Sequence, residues 1–479
     1  MEKVSALTQE HFRKFLRALR MAGVDLHSVL IWQGGKMQME KYWAPFDENT
    51  PHRMYSVTKS FVGIAVGCLI DDGLVKLNDP IIKYFPEKLP DTLHEFVRQQ
   101  TIEDMLTMRT CYADNPSWIE GRAMDIPYFY FRQPVRKPVG AHFDYDSTGS
   151  YVLGALVEKL TGKTLLAYLK EKFLDEIGGF ENAQTLCGPD GVTWGSSAMI
   201  CKPRGLMNFA LLLKNHGAWN GRQLISADYV KKAISRMTDN DFTGCSTHKS
   251  QGYGYQIWHA ERGGFAFHGL GGQFAICVPE ADFAFVCTAD IQMTYELHSG
   301  AIFRAVYDEL VTPLLGEEET DDLAPEKLNV ARGEKESAYA GKISGKTYKC
   351  EENPMGIKWF RMDFDGNQGC FSYENAQGEK KLPFGMKENV FGQFPQFGYS
   401  NEQGGLPGPD DFTYACAASA GWVEEKKLQI KVQIIDRYIG KLIMVFSFLD
   451  NGWASVKMTK GGQDFLDEYK GWIIAWQLK

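Results

Sequence analysis

The sequence predicts an α/β (α+β) protein in two parts: an antiparallel sheet flanked by helices and carrying a mainly helical insertion, followed by a separate antiparallel β domain. Three observations carry that expectation. The runs 28–33 and 37–43 meet at Gly34-Gly35 and read as a hairpin by their turn. Further strand-like runs return only after residue 250. Beyond the acidic stretch Glu317–Asp322 the pattern changes to short alternating runs separated by Gly, Asn and Asp, which is how antiparallel strands read.

Taken in order, a helix is expected near Thr8–Ala22, ahead of the hairpin. Phe61–Ile70 is apolar on every face and reads as a helix buried all round, stopped by Asp71-Asp72-Gly73. The helical insertion runs from about Asp79 to Met237. Strands near Tyr253–Trp258, Phe265–His268, Phe274–Pro279 and Phe283–Thr288 then rejoin the sheet, and a helix over Tyr295–Leu315 covers it. Residues 1–325 form the first domain and 335–479 the second, in which Trp422, Trp453, Trp472 and Trp476 are packing residues.

Composition narrows the function. A chain of 479 residues, 44% hydrophobic and 23% charged, is an ordinary globular protein, and a net charge of −8 without a basic stripe argues against a nucleic-acid partner. The first ten residues lack the apolar core of a signal peptide and no run approaches a membrane span, so a cytosolic protein without a membrane partner is expected. The ten cysteines lie between Cys68 and Cys416 with no Cys-x-x-Cys pair, which reads as buried reduced thiols. Neither His-Glu-x-x-His nor Gly-x-Ser-x-Gly occurs. Thr161-Gly162-Lys163-Thr164 imitates a phosphate loop, but Val157 stands where its leading glycine is required. No metal or cofactor is called for.

The chemistry begins at Met54-Tyr55-Ser56-Val57-Thr58-Lys59-Ser60. Ser56 and Lys59 stand three apart at the start of the apolar helix, so their side chains share one face and the lysine nitrogen reaches the serine hydroxyl, while the helix N-terminus favours a developing oxyanion. A second Ser-x-x-Lys, Ser246-Thr247-His248-Lys249, lies in a polar run with no apolar helix behind it and reads as a solvated loop. Downstream, Pro138-Val139-Gly140-Ala141-His142-Phe143-Asp144-Tyr145-Asp146-Ser147 opens a helix carrying Leu153-Gly154 and Glu158. Phe267-His268-Gly269-Leu270-Gly271-Gly272-Gln273 then sits between two strand-like runs.

These segments, in this order, resemble the serine β-lactamase and penicillin-binding-protein superfamily in its class C and esterase-like branch. The connecting segments Leu74 to Pro80, Thr101 to Met108 and Tyr253-Gly254-Tyr255-Gln256-Ile257-Trp258 extend the likeness through most of the first two-thirds of the chain. The resemblance implies a β-lactamase/transpeptidase-like fold with a C-terminal barrel of lipocalin-like appearance. It further implies a serine hydrolase cleaving a small amide, peptide or ester: Ser56 is the nucleophile, Lys59 its base, Tyr145 the proton shuttle, and the backbone N–H groups of Ser56 and of Gly271 or Leu270 the oxyanion hole. Ser147, His268, Gly269, Leu270 and Tyr112 fall in the substrate-binding set. His268 occupies the position of a family lysine, and Thr110-Cys111 stands where Ser-Gly is usual. Tyr373 and Tyr399, each followed two residues later by asparagine, lack the Pro-x-Gly approach and are set aside. Pro127–Phe131 reads as core packing, with an apolar pocket wall as the alternative. Two other functions share the motifs or the fold: acyl transfer to an alcohol or amine, and a catalytically silent binding or sensor protein. Homo-oligomerisation is left open.

Overall fold

A computed structural model describes residues 6–113, 125–240, 247–316, 327–397, 413–436, 439–462 and 469–478. The chain divides into two compact units, Met1–Pro134 with Phe143–Asp322, and Val135–His142 with Leu323–Lys479. A linear division near residues 325–335 leaves Val135–His142 in the first part; its contacts place it in the second.

The first unit is built on an antiparallel sheet of β1 (Leu26–Gln33), β2 (Lys36–Tyr42), β3 (Trp258–His259), β4 (Phe265–Gly269), β5 (Gln273–Val278) and β6 (Phe283–Ala289), in the order β2-β1-β6-β5-β4-β3. The hairpin turn falls at Gly34-Gly35, both with positive φ. β5 and β6 are buried along their whole length, because both faces of the sheet are covered and their side chains are apolar except for Gln273 and Thr288, which are hydrogen-bonded to the Ala289 carbonyl and to Ser28 Oγ. On one face α1 (Gln9–Met21) seats Phe12, Phe15 and Leu19 in a core shared with Ile276, Phe285, Ile302 and Phe303. The expected strand Tyr253–Trp258 is corrected: only Trp258–His259 is strand, and Gln256 adopts positive φ. The expected helix over Tyr295–Leu315 is α-helical over Tyr295–Val306, widens to a π turn over Tyr307–Val311, and regains α geometry over Thr312–Leu315.

In the helical part, α2 (Thr58–Asp71) is buried on every face from Thr58 to Leu69. It packs against α3 (Ser147–Thr161), which is capped by Asp146 and ended by Gly162 in the left-handed region. Among the described residues no helix is long and apolar enough to cross a membrane. Most cysteines are buried, as read from the sequence, but Cys187 is exposed and Cys370 half-buried.

The second unit is a closed antiparallel barrel. Among the described residues its strands are β7 (Thr347–Cys350), β8 (Trp359–Asp365), β9 (Gln368–Asn375), β10 (Gly378–Met386), β11 (Val390–Phe397), β12 (Thr413–Glu424), β13 (Lys427–Ile435), β14 (Ile439–Phe448), β15 (Trp453–Gly461) and β16 (Gly471–Gln477). They run in the order β10-β9-β8-β7-β16-β15-β14-β13-β12-β11, and a short parallel pairing of Gly385-Met386 with Ser419-Ala420 closes the ring past β11. Alternate residues such as Leu428, Ile430 and Val432 fill the interior with Phe360, Phe371 and Phe446. Trp422 belongs to that core, while Trp453 packs edge-on against Trp476. The segment 135–142 is built into this unit: His142 Nε2 lies 3.1 Å from the Ser455 carbonyl, Ser447 Oγ donates to the Ala141 carbonyl at 2.9 Å, and Lys137 is fully buried. Burial holds the His142 imidazole well below its ordinary pKa.

Candidate active site

Ser56 is in a 3-10 turn, Tyr55–Val57, immediately ahead of α2, and Lys59 is the second residue of that helix. The entry is tight. Tyr55 takes φ 47°, a conformation uncommon for a bulky residue, and surrounding bonds hold it there. Thr58 Oγ1 donates to the Tyr55 carbonyl at 2.6 Å and accepts from Met199 N at 2.9 Å. Met54 N in turn donates to the Met199 carbonyl at 2.7 Å. The short strand Met199–Cys201, paired with His52–Arg53, thus clamps both sides of the Ser56 turn.

Lys59 is 2% exposed, and its Nζ donates to Ser56 Oγ at 3.1 Å and to the Ser196 carbonyl at 2.9 Å. That carbonyl is steered by its neighbour, since Arg53 Nε and Nη2 bind the Ser197 carbonyl and hydroxyl at 3.1 Å each. The Lys59 nitrogen also lies 4.9 Å from the centre of the Tyr145 ring. Ser56 and Lys59, three residues apart, are therefore assembled at one point with Tyr145, which is distant in the sequence.

Tyr145 precedes α3 by two residues, and its placement depends on Asp146. One carboxylate oxygen of Asp146 accepts from Gly149 N at 2.7 Å; the other accepts from Thr110 Oγ1 and Tyr130 OH, both at 3.2 Å. Gln100 extends the net by donating to Tyr130 OH at 3.1 Å and accepting from Cys111 N at 3.0 Å. The Thr110-Cys111 departure thus braces the start of α3. Tyr130 of the aromatic run is buried in this net, and Tyr128 and Phe129 are exposed, so none of the three lines the cavity described next. Gln256 ties the helices together: its carbonyl accepts from Ser60 Oγ, its side-chain oxygen from Ser150 Oγ at 2.6 Å, and its amide donates to the Met105 and Leu106 carbonyls.

Tyr145 stacks on Trp258, with ring centres 5.5 Å apart, and Trp258 leads to His268 at 5.2 Å. The described residues lining a cavity of about 320 Å³ are Ser56, Phe143, Asp144, Tyr145, Lys249, Trp258, His268, Leu270 and Tyr295. Of the residues expected to bind substrate, His268 and Leu270 line it. Ser147 is the buried first residue of α3, Tyr112 is buried edge-on to Tyr130, and Gly269 and Gly271 flank Leu270 without lining the space. Gly269 has another part: a Cβ there would overlap the Met54 carbonyl oxygen, so its bare backbone lets β4 run against the Ser56 turn.

His268 is 4% exposed in an aromatic box, 4.9 Å from Phe303 and 5.6 Å from His248, both stacked on it. Burial, with His248 and Lys249 adding to it, depresses its pKa well below 6.5, so it stands in the cavity wall as a neutral imidazole. His248 is pushed down to about 4, again by burial first.

The reading of His248-Lys249 as a solvated loop is corrected. Thr247–Lys249 is a 3-10 turn, both residues are buried, and Lys249 faces the cavity that holds Ser56. Its local sequence is polar, but the turn is covered by Tyr295 and Phe303 of the helix that follows β6, a long-range contact that local polarity does not reveal. Asp144 and Tyr295 were likewise missed; Asp144 lay inside the quoted motif without a role of its own.

A family profile described as Beta-lactamase matches residues 9–296, more than half of the chain and the part that carries this site. The chain belongs to the β-lactamase family. It is similar to the 6-aminohexanoate-dimer hydrolase of Paenarthrobacter ureafaciens, 26% identical over 276 residues, which span 53% of this chain and 70% of that one. A β-lactamase of Yersinia enterocolitica is 28% identical over 165 residues, 32% of this chain and 40% of that protein. Among solved structures, the octameric penicillin-binding protein homologue from Pyrococcus abyssi superposes with a TM-score of 0.52 at 17% identity, covering 97% of this chain and 99% of its own. That likeness is one of fold and extends through both units. The protein is a β-lactamase-related serine hydrolase.

Proposed function

We propose that the enzyme cleaves a small amide or ester through an acyl-enzyme on Ser56. The observation that carries this reading is the contact of Lys59 Nζ with Ser56 Oγ at 3.1 Å beneath the Tyr145 ring, at the wall of an open cavity. Ser56 Oγ attacks the carbonyl carbon, its proton passes to Lys59, and the carbonyl oxygen becomes an oxyanion held by backbone N–H groups. One donor is Ser56. The other comes from the Leu270-Gly271 turn, and the presence of Leu270 in the cavity wall supports Leu270 N. Tyr145 gives a proton to the leaving amine or alcohol as the tetrahedral intermediate collapses, then takes one from the water that attacks the acyl carbon. The similarity to a 6-aminohexanoate-dimer hydrolase points toward small amides as well as esters. Homo-oligomerisation is a further proposal, prompted by the octameric Pyrococcus abyssi homologue and checked by sedimentation.

Intact-mass measurement after exposure to a fluorophosphonate tests the nucleophile. One adduct on the wild-type protein, mapped to Ser56 and absent in Ser56→Ala, is expected. An adduct formed at normal rate on Ser56→Ala would overturn the assignment. Product analysis in the presence of an alcohol separates hydrolysis from acyl transfer.

A further inference from the structure

We propose that the substrate carries a carboxylate and that Lys249 binds it. The inference rests on the acyl-enzyme reading above and adds the substrate class. Three observations point to it.

First, Lys249 is a cation placed where a ligand can reach it. Its side chain is 9% exposed, its stem is covered, and its Nζ lies over the Tyr295 ring at 4.4 Å with the residue lining the same cavity as Ser56. Enclosing an ammonium on an aromatic ring strips part of its water, and such a group gains most from an anion delivered to it.

Second, its partner within the protein is replaceable. Lys249 Nζ pairs with Glu296 Oε1 at 2.7 Å, but the Glu296 side chain is 65% exposed and is not part of the cavity wall. An exposed carboxylate holds a lysine weakly because water and salt screen it. A substrate carboxylate arriving through the cavity meets the same nitrogen from the shielded side.

Third, the other candidate cannot do this work. His268 is a neutral imidazole boxed by Trp258, Phe274, Phe303 and His248. Lys59 is committed to Ser56 Oγ and the Ser196 carbonyl. Asp144, the one carboxylate among the described lining residues, adjoins Tyr145 in the chain. The ring contacts of Tyr145 with Trp258, Trp258 with His268 and His268 with His248 link the Tyr145 end of the cavity to the residue that precedes Lys249 in the chain. With Ser56 and Lys249 in one cavity wall, the favoured substrate has an acyl group or leaving group that ends in a carboxylate.

The test compares p-nitrophenyl valerate with mono-p-nitrophenyl glutarate, esters of similar length that differ in charge, and reads the ratio of their kcat/KM values. The wild-type ratio should favour the glutarate. Lys249→Met and Lys249→Gln should lower that ratio by about tenfold, Lys249→Arg should largely keep it, and Glu296→Gln should keep or raise it, since a competing carboxylate is removed. Equal losses for both esters in Lys249→Met, matched by the same losses in Glu296→Gln, would show an ion pair that only holds the turn to its helix, and would overturn the proposal. A wild-type enzyme indifferent to the charge of the ester would overturn it as well. Glutarate binding to Ser56→Ala protein, followed by calorimetry, needs no catalysis: binding that vanishes in the Ser56→Ala, Lys249→Met double variant supports the carboxylate site even if Ser56 proves not to be acylated. No glutarate binding to Ser56→Ala would remove the site while leaving the acyl-enzyme mechanism standing.

Discussion

The chain holds two Ser-x-x-Lys segments, and both deliver a buried lysine to the same cavity region, yet the two lysines meet different chemistry. Lys59 faces a hydroxyl and a carbonyl, and among the described residues no carboxylate pairs with it. Lys249 faces the carboxylate of Glu296 and the ring of Tyr295. A lysine among neutral acceptors, with a serine hydroxyl within reach, is arranged to exchange a proton with it; a lysine among anions is arranged to hold charge. The same four-residue spacing therefore has no chemistry of its own. The element behind it decides, a fully buried helix in one case and a short turn in the other.

The largest test of this contrast is at Lys59. Lys59→Ala should slow fluorophosphonate acylation by about 10³-fold, whichever substrate charge is used, because it removes the proposed proton acceptor. Lys249→Met should discriminate between substrates instead. If the two variants lose activity in parallel across neutral and anionic esters, the contrast fails.

Tyr145→Phe comes next, with an expected fall in kcat of about 10²-fold and retained labelling by a fluorophosphonate, whose fluoride leaving group needs little help from an acid. Deacylation rates measured by single turnover would check it. Gly269→Ala should act on the geometry alone: the new methyl group meets the Met54 carbonyl, the nucleophile turn shifts, and acylation drops by about 10²-fold while Lys249-dependent glutarate binding persists.

A smaller effect is expected at Thr58. Thr58→Val leaves the Tyr55 carbonyl and Met199 N without their shared hydroxyl in a buried site, and urea melts should register a loss of about 1–3 kcal/mol. Smallest and most gradual is the response to acid. His248 and His268 have folded-state pKa values below the ordinary 6.5, so the folded protein binds fewer protons than the unfolded chain. Stability is then full above about pH 6.5 and declines as pH falls toward about 4, the region where His248 itself takes up a proton in the fold. A urea midpoint that does not fall between about pH 7 and about pH 5 would contradict this.

Much of the architecture was legible because it is written in local periodicity. The Gly34-Gly35 hairpin, the all-apolar helix behind Ser56 and the alternating barrel strands each announce themselves within a dozen residues. The assembly of Ser56, Lys59 and Tyr145 was legible for a different reason: two of the three share one helix entry, and the third sits in a distinctive segment that caps the next helix. Lys249 was not legible, since its turn is covered by Tyr295, over which its own nitrogen lies, and by Phe303, which stacks on His248, both contributed from some fifty residues away. Nor was the role of Thr110-Cys111, whose partners Asp146 and Gln100 lie on other segments. Local pattern reports what a residue prefers, while burial by distant chain decides what it does.

The segment Val135–His142 gives the molecule an order of completion. Its bonds to the barrel span 313 residues from His142 to Ser455 and 306 from Ala141 to Ser447. As the chain leaves the ribosome, the approach to Tyr145 emerges long before the strands that grip it, and buried Lys137 and His142 must wait in water until β14 and β15 arrive. The helix behind Ser56 can fold early, but the lead-in to Tyr145 gains these partners only after β14 and β15 have been made. A chain stopped at Leu315 would thus carry Ser56 and Lys59 with an approach to Tyr145 that lacks its partners Ser447 and Ser455.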